Sequence, residues 1–411
     1  MNVLGIIAEY NPFHNGHAYQ LEQSKKITNA DYTVVVMSGD FTQRGEPAII
    51  DKFSRAKMAL LSGADLVIEL PVVFATGSAE YFANGAVSIL NNLGITTHLA
   101  FGSECGDMDT LSRIARTLYH ETDDYKENLK KYLKCGLSFP TARLQALKEA
   151  TTGIENAADL LSSPNNILGI EYLKALYRVN SSIQPITIKR IGANYQDLGL
   201  NDAYSSALSI RKHIENDLNI TLLNDQLPFN TLNILKEEYK KSFPILLKDF
   251  SSMLQYKLIM ERKNGYSSFF DINSDFSDRI LNLLDTYKDV SGFTLKLKTK
   301  DKTYSNVSRA LLHILLNIKR NDIDTFCKNG YSQYARVLGF KKEVAPLLSS
   351  IKEKARIPLI IKPSDFLEST DHLLLKQLNY DLDASCLYQS VVANKFNSIY
   401  QNELKRLILK I

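Results

Sequence analysis

The sequence predicts an α/β protein in which a doubly wound parallel sheet is followed by a mainly helical second half. Up to about residue 216, short apolar runs of strand length alternate with segments of helical periodicity, a pattern typical of parallel sheets crossed by helices. Beyond that point the apolar residues recur mainly at helical spacing, although Ala335–Phe340 and Ile357–Ile361 could pair as strands. We therefore expect two domains, residues 1–220 and 221–411, divided within the segment 216–227.

The composition is that of a globular protein. Of 411 residues, 45% are hydrophobic and 23% are charged, and no apolar run reaches the roughly 18 residues of a membrane span. The first apolar segment contains Glu9 and lacks the basic start of a signal peptide. The four cysteines lie far apart without a CxxC pair, which argues against a zinc site or a disulfide framework. We expect a cytoplasmic protein without a membrane anchor or a stable protein partner.

The first predicted element is a strand that runs into a tight loop and then a helix. Val3–Ala8 is an apolar run of the length of a strand buried on both faces. Asn11-Pro12 interrupts it, and helical spacing follows. His14 and His17 stand where the loop becomes the helix, and a helix N-terminus attracts phosphate. Gly16 between them would let the backbone approach a ligand closely.

This arrangement resembles the signature of the HxGH nucleotidyltransferases, in which two histidines hold ATP and stabilise the charge that develops at the α-phosphate. A bare HxGH string often matches by chance, but its position between a buried strand and a helix makes it much more specific. The alternative is a turn with two surface histidines. We expect His14 and His17 to be the catalytic residues.

Four further strands alternate with helices and extend the predicted sheet. Asp51 is suited to cap a helix that begins at Lys52, and a helix from about Ala79 ends before Gly94. Ligands of doubly wound sheets bind beyond the carboxyl ends of the strands, so the loops after these strands are expected to form the site. The predicted strands are Tyr32–Met37, Asp65–Leu70, His98–Phe101 and Pro185–Ile191.

A second group of candidate residues follows the last of these strands. Arg190 lies near the end of that strand, and Ser205, Ser206 and Ser209 precede Arg211 at the start of another helix. Hydroxyls and backbone N–H groups at a helix start, together with an arginine, suit a triphosphate. We therefore expect Arg190, Ser209 and Arg211 to contact ATP, although the serines could simply cap the helix.

The second half of the chain contains a locally basic stretch between Lys296 and Lys342. It holds eleven basic and three acidic residues, whereas the whole chain has a net charge of only +4. Such a surface suits a polyanion, and the alternative is an ordinary solvated face. The candidate contacts are Lys298, Lys300, Lys302 and Arg309.

Several sequence blocks, in this order, resemble the bacterial tRNA(Met) cytidine acetate ligase family. The blocks are GIIAEYNPFHNGH, SGDFTQRGEPA, ADLVIELP, FGSE, PNNILGIEYLKAL and SIRK, and the resemblance covers essentially the whole chain. It implies an HxGH nucleotidyltransferase domain and a C-terminal tRNA-binding region. The implied reaction activates acetate with ATP to acetyl-adenylate, releasing pyrophosphate. The acetyl group then passes to N4 of the wobble cytidine of elongator tRNA(Met).

The resemblance also implies which residues hold ATP. Gly102 should line the nucleotide pocket, and Asn165 or Asn166, with Arg190, should complete it. Gly102 could instead be only a turn former, and the asparagines only a helix cap. Mg²⁺ is expected to accompany ATP, although no acidic metal cluster stands out. In the first loop the implied ATP-binding residues are Ile7, Ala8, Glu9, Tyr10, Asn11, Pro12, Phe13, His14, Asn15, Gly16, His17, Ala18, Tyr19 and Gln20.

Two other functions remain open at this stage. One is a nucleotidyltransferase or acid ligase that acts on a small metabolite, which would leave the basic second half without a role. The other is an RNA-binding factor whose nucleotide site is inactive, against which the intact His14, Gly16 and His17 argue.

Overall fold

The computed structural model describes residues 1–137, 139–150, 157–191, 205–216 and 220–411. The described residues form an eight-stranded sheet in the order β5-β4-β1-β2-β3-β6-β7, with β8 beside β6. Strands β1 to β5 are parallel, and β6 runs antiparallel to β3. The strands are β1 Val3–Ala8, β2 Tyr32–Ser38, β3 Leu66–Leu70, β4 His98–Ser103, β5 Gln184–Lys189, β6 Ala335–Phe340, β7 Leu359–Ile360 and β8 Leu409–Lys410.

Helices cover both faces of this sheet, as the sequence predicted. In the first half they are α1 Asn15–Thr28, α2 Lys52–Leu61, α3 Val72–Ala75, α4 Ala79–Asn92, α5 Met108–His120, α6 Asp123–Lys134, α7 Phe139–Ala150, α8 Ala157–Ser162, α9 Pro164–Arg178 and α10 Ala207–Asn216. In the second half they are α11 Phe229–Glu238, α12 Ser251–Glu261, α13 Ser274–Leu283, α14 Val290–Leu297, α15 Tyr304–Leu315, α16 Arg320–Lys328, α17 Ala345–Lys354 and α18 His372–Phe396.

The strand residues alternate between two apolar layers, because successive side chains of a strand point to opposite faces. Leu4 and Ile6 of β1 pack with α1, α2, α10 and α11. Val3 and Ile7 pack on the other face with α4, α5 and α9. Asp51 caps α2 by accepting the N–H groups of Phe53 and Ser54. The predicted α/β class and this capping interaction are therefore confirmed.

The second half of the chain completes the sheet of the first half. Residues of β6 pair with β3, from Leu66 with Phe340 to Glu69 with Arg336, and Ala335 pairs with Leu359 of β7, as predicted. Helices α12 to α15 have an apolar cluster of their own. The domain division near residue 220 stays a prediction, and the sheet contains strands from both sides of that point.

A cluster of fully buried charges joins the two halves behind the sheet edge. The Lys52 ammonium lies 2.8 Å from Glu69 and 2.8 Å from Glu403. Arg336 lies 3.0 Å from Glu69 and also forms an ion pair with Glu403. Burial alone would raise the pKa of Glu403, but Lys52 and Arg336 hold it below its ordinary value. Each charge in this cluster therefore depends on the others for its neutralisation.

Removing Arg336 from the cluster should destabilise the protein strongly. Arg336→Met leaves Glu69 and Glu403 short of a buried counter-charge, and the expected loss is about 3–5 kcal/mol in the free energy of unfolding. Denaturant titration at pH 7 measures it. The control is Lys341→Met, because the partly exposed Lys341 pairs with Asp65 near the surface and should cost less than about 1 kcal/mol. Equal losses for the two variants would contradict the prediction.

Candidate active site

A cavity that the first loop lines lies at the carboxyl ends of β1, β4 and β5. The chain leaves β1 towards β2 on one side, whereas β4 and β5 lie on the other, so the strand order reverses between β1 and β4. Ligands of open α/β sheets bind at such a point. The N-terminal ends of α1, α9 and α10 border the cavity, so the positive ends of three helix dipoles meet there.

The β1–α1 loop sets both histidines at the start of α1. His14 is the N-cap residue, and its Nδ1 accepts the N–H of Gly16 at 3.1 Å. The backbone N–H of His14 in turn donates to Nδ1 of His17 at 3.2 Å. The two rings stack with centroids 3.7 Å apart. Since both Nδ1 atoms are acceptors, a neutral ring must carry its hydrogen on Nε2, which leaves two Nε2–H donors.

Both histidines are neutral in the free protein. Burial, and then the charges of Arg190 and Arg211, lower the pKa of His14 to about 3. Burial, His14 and Arg190 likewise hold the pKa of His17 well below its ordinary value. The positive charge of the site therefore comes from the arginines, and the histidines contribute oriented hydrogen bonds.

Gly16 makes this arrangement sterically possible. A Cβ atom at Gly16 would lie 2.9 Å from Cε1 of His14, closer than real Cβ contacts allow. The sequence suggested that this glycine admits a ligand, and the structure adds that it makes room for the His14 ring. Tyr10 and Phe13 pack edge-on and tilted against His17, with centroids 4.8 Å and 5.6 Å away, which fixes the second ring.

Most of the predicted ATP loop borders the site, but not all of it. Gly16 and Tyr19 line a smaller adjoining cavity. Pro12, Phe13, Asn15 and Ala18 line neither, and Phe13 is fully buried. The loop residues that line the main cavity are Ile7, Ala8, Glu9, Tyr10, Asn11, His14, His17 and Gln20.

Gly102 and Arg190 stand between the two cavities, together with His14 and Gln20. Gly102 lies within β4 and lacks a positive φ, so a turn does not require glycine there. A Cβ atom would point towards Arg190 and Gln20, 3.4 Å from Cγ of the arginine and 3.8 Å from Oε1 of the glutamine. The glycine thus leaves open the space where the two cavities meet.

At the start of α9, the two predicted asparagines make different hydrogen bonds and have different roles. Glu104 accepts hydrogen bonds from Nδ2 of Asn165 at 2.7 Å and from the N–H of Asn166 at 2.8 Å. Asn166 is buried, and its Oδ1 accepts the N–H groups of Glu104 and Cys105. Only Asn165 lines the cavity. Asn166 therefore ties the β4 loop to α9, and Glu104 is a supporting residue that sequence reasoning missed.

At the start of α10, Ser206 lies at the cavity and Ser209 does not. Ser206 lines the cavity, and its hydroxyl accepts the N–H of Ser209 at 3.1 Å, as a cap. Ser209 is buried and does not line the cavity, and its contact with ATP stays a prediction. Arg211 lines the cavity and donates to the carbonyl of Asn11 at 2.9 Å, which ties α10 to the histidine loop.

Sequence reasoning also missed the residues that line the cavity from the β2–α2 loop and from α4 and α9. The N–H of Gln43 donates to Oε1 of Glu9 at 2.8 Å, and Arg44 lies next to it. Phe82 and Tyr172 line the cavity from the other face of the sheet. The available signal was the polar segment directly after β2, which ends at the same edge as β1.

The predicted polyanion contacts differ in exposure. Lys298 and Lys300 are exposed, and the partly buried Lys302 places its ammonium 4.5 Å from the Phe276 ring. The Arg309 side chain is only 14% exposed, and its Nε lies 3.6 Å from Asp271, so Arg309 forms an ion pair within the protein and its contact with a polyanion stays a prediction.

The basic segment lies beside the loop that lines the cavity. Ser308 donates to the carbonyl of Gly45 at 2.8 Å, and a Cβ atom at Gly45 would meet the backbone of Arg309 at 2.3 Å. The start of α15 therefore packs directly on the loop that carries Gln43 and Arg44.

No group of three or more His, Cys, Asp or Glu residues within the described ranges is arranged to hold a metal ion. Mg²⁺ in nucleotide sites keeps several waters and binds through substrate phosphates with one or two carboxylates. Glu9 is the acidic side chain that lines the cavity. In the same part of the chain, no helix is both long and apolar enough to cross a membrane.

The strand-order reversal, the histidine pair at the start of α1 and the arginines around it define a nucleotidyltransferase of the HIGH class. The family model described as HIGH Nucleotidyl Transferase matches residues 1–403. The tRNA(Met) cytidine acetate ligase of Acetivibrio thermocellus is 46% identical over 393 residues, 94% of each chain. That of Halothermothrix orenii is 41% identical over 404 residues, again 94% of each. The chain belongs to the tRNA(Met) cytidine acetate ligase family.

Solved structures agree over the full length. The apo structure of Thermotoga maritima TmcAL matches with a TM-score of 0.93 at 34% identity, covering 100% of both chains. The structure of the same protein bound with alpha-thio ATP matches with a TM-score of 0.90, also over 100% of both chains. The fold described above is therefore that of the family.

The tautomer and charge of the two histidines can be tested directly. Long-range ¹H–¹⁵N spectra of the free protein should show neutral Nε2–H rings for His14 and His17 from pH 8 to pH 5, whereas an unperturbed histidine changes state near pH 6.5. Because the folded pKa values are lowered, unfolded chains take up these protons below pH 6.5 and folded chains do not. The pair therefore reduces stability as the pH falls through that range. Protonated rings at pH 6, assigned with single His→Ala variants, would contradict the prediction.

Proposed function

We propose that this protein activates acetate with ATP and transfers the acetyl group to N4 of the wobble cytidine of elongator tRNA(Met). The observation that carries the proposal is the pair of neutral Nε2–H donors at the start of α1, in a cavity that Arg190 and Arg211 also line. The name shared by the relatives, and the alpha-thio ATP complex of Thermotoga maritima TmcAL, support it.

The geometry accounts for the first step. An acetate oxygen attacks the α-phosphorus in line and pyrophosphate leaves, so the barrier depends on positioning and on charge that develops on phosphate oxygens. His14 and His17 donate to those oxygens from the helix start, where the helix dipole adds to the effect. Arg190 and Arg211 supply the positive charge. The product is acetyl-adenylate.

The second step needs no nucleophilic side chain. Acetyl-adenylate is a mixed anhydride, and the N4 amine of cytidine attacks its carbonyl carbon. The C–O bond to AMP breaks, the amine loses a proton and AMP leaves. The protein has to bring the base to the cavity and keep water out, which is positioning rather than covalent catalysis.

The tRNA is proposed to approach over the basic segment at Lys298, Lys300 and Lys302. Two of these lysines are exposed, and the segment leads into α15, which packs on the loop that lines the cavity. Phosphates held there would lie next to the mouth of the site. Arg309 is left out of this surface because it pairs with Asp271.

Replacing His17 should remove acetate activation and leave the fold intact. We expect His17→Ala to lower acetate-dependent ATP–pyrophosphate exchange by about 10²–10³, the usual effect of losing one transition-state donor. The control is His120→Ala, since His120 is exposed at the end of α5. Near-normal exchange by His17→Ala would refute the catalytic assignment. If the wild-type protein gave no exchange with acetate, with or without tRNA, the proposed function itself would be wrong.

Neutralising the lysine segment should affect tRNA and not acetate activation. A variant with Lys298, Lys300 and Lys302 all replaced by Gln should bind tRNA more weakly and acetylate it poorly. The salt slope of binding should fall by about one for each lysine that contacts phosphate. Acetate-dependent exchange should be unchanged.

The matched control for this experiment replaces Lys342, Lys352 and Lys354 by Gln. These lysines are exposed, and Lys354 packs on Gly94, before β4 and at the opposite edge of the sheet from the cavity. An unaltered salt slope in the first variant, or an equal change in the control, would place the tRNA surface elsewhere.

A further inference from the structure

Two side chains that line the cavity, those of Gln43 and Tyr172, offer hydrogen-bond donors to a ligand. The side-chain Nε2 of Gln43 is buried and has no hydrogen-bond partner among the described residues, although the backbone N–H of Gln43 donates to Glu9. Tyr172 is only 2% exposed. Burial, and then the nearby Glu9 carboxylate, raise the Tyr172 pKa, so its hydroxyl stays a donor.

Both residues lie near the end of β1, because the backbone N–H of Gln43 donates to Glu9 and the Glu9 charge acts on Tyr172. A buried donor that no protein acceptor satisfies is costly, and a ligand with acceptor oxygens would relieve that cost. Arg44 follows Gln43 and also lines the cavity. Its positive charge reduces the cost of placing an anion near Glu9. A carboxylate suits this set of groups.

Beside these donors the cavity has apolar walls. Phe82 and Phe101 are almost fully buried and Leu168 is partly buried, and all three line the cavity with Tyr172. A Cβ atom at Gly169 would lie 2.5 Å from the Phe101 ring, so glycine at that position lets the ring lie against α9. These walls suit a short alkyl group such as a methyl.

The walls come from α4, α9 and the face of β4 that they cover, whereas the histidines stand at the start of α1 on the other face of the sheet. The ends of β1 and β4 would therefore lie between the apolar walls and phosphates bound at the starts of α1 and α10. An attacking carboxylate needs such a position, since it must approach the α-phosphorus opposite the departing pyrophosphate.

We propose that Gln43 and Tyr172 bind the carboxylate of the acyl donor, and that Phe82, Phe101 and Leu168 enclose its alkyl group and select acetate. The inference rests on the proposed function, because it assigns a subsite to the same reaction. Gln43 Nε2 and the Tyr172 hydroxyl each donate to a carboxylate oxygen.

The donors are tested with Tyr172→Phe and Gln43→Met, which keep the shape and remove the hydrogen bond. Each should raise the KM for acetate in ATP–pyrophosphate exchange by about tenfold or more, the usual cost of a hydrogen bond to a charged group. The Kd of ATP, measured by calorimetry without acetate, should change by less than about twofold, a shift far below one hydrogen bond.

The assignment of the apolar walls is tested by replacing one wall residue with a smaller side chain. Leu168→Ala should raise the ratio of kcat/KM for propionate to that for acetate by about tenfold or more, since one methylene in an apolar pocket is worth that much. Leu176→Ala is the matched control, because Leu176 lies two turns further along α9, is buried, and does not line the cavity. The control should leave the ratio unchanged.

Three results would overturn the inference. An unchanged KM for acetate in both donor variants would place the carboxylate elsewhere. A raised KM for tRNA with a normal KM for acetate would assign the two donors to the acceptor base. An unchanged substrate ratio in Leu168→Ala would remove the wall assignment. Wild-type protein that shows no acetate-dependent exchange would overturn the proposed function as well, so the two failures are distinguishable.

Discussion

The catalytic edge of the sheet depends on positive charges buried beneath it. Lys52 starts α2 directly after the loop that lines the cavity, and it is held between Glu69 and Glu403. One turn later, Arg55 donates to the carbonyls of Glu9 at 2.6 Å and Ser38 at 3.1 Å, at the ends of β1 and β2. A desolvated charge is tolerated only when ion pairs or hydrogen bonds compensate it. The need to satisfy Lys52 and Arg55 therefore fixes both loops in one geometry.

At this edge of the sheet, different residues supply the hydrogen-bond donors and the positive charge. His14 and His17 are neutral because they are buried beside Arg190 and Arg211, and their backbone contacts decide which nitrogen donates. In the reaction proposed above, the arginines would attract the triphosphate and the histidines would donate to the oxygens on which charge grows. A neutral donor requires no proton uptake on ligand binding, so these hydrogen-bond donors are already oriented in the free protein.

Local sequence patterns predicted the helices and strands. They missed the features that depend on pairing between distant segments. The apolar runs and their Pro or Gly breakers located β1 to β5 within about two residues, the usual uncertainty of such boundaries. The prediction ended β4 at Phe101, but Gly102 and Ser103 continue it because they pair with Ile188 and Lys189. No periodicity reveals that β6 pairs antiparallel with β3.

Contacts that the sequence does not reveal also limited the prediction of the site. Residue types and position singled out His14 and His17, but not the donor nitrogen, which depends on two backbone N–H groups. Likewise, the sequence did not separate Asn165 from Asn166, or Ser206 from Ser209, because hydrogen bonds to Glu104 and within α10 decide which one faces the cavity.

The long sequence separation of these contacts has a consequence for biosynthesis. Ser385 of α18 donates to Asp40, 345 residues earlier, and Tyr388 donates to the carbonyl of Ala48, 340 residues earlier. A ribosome therefore exposes the cavity loop and the unpaired edge of β3 long before their partners are made. Unpaired strand edges and uncovered apolar surface invite aggregation. The nascent chain must stay soluble throughout that interval, and the loop after β2 gains its contacts with α18 only at the end of synthesis.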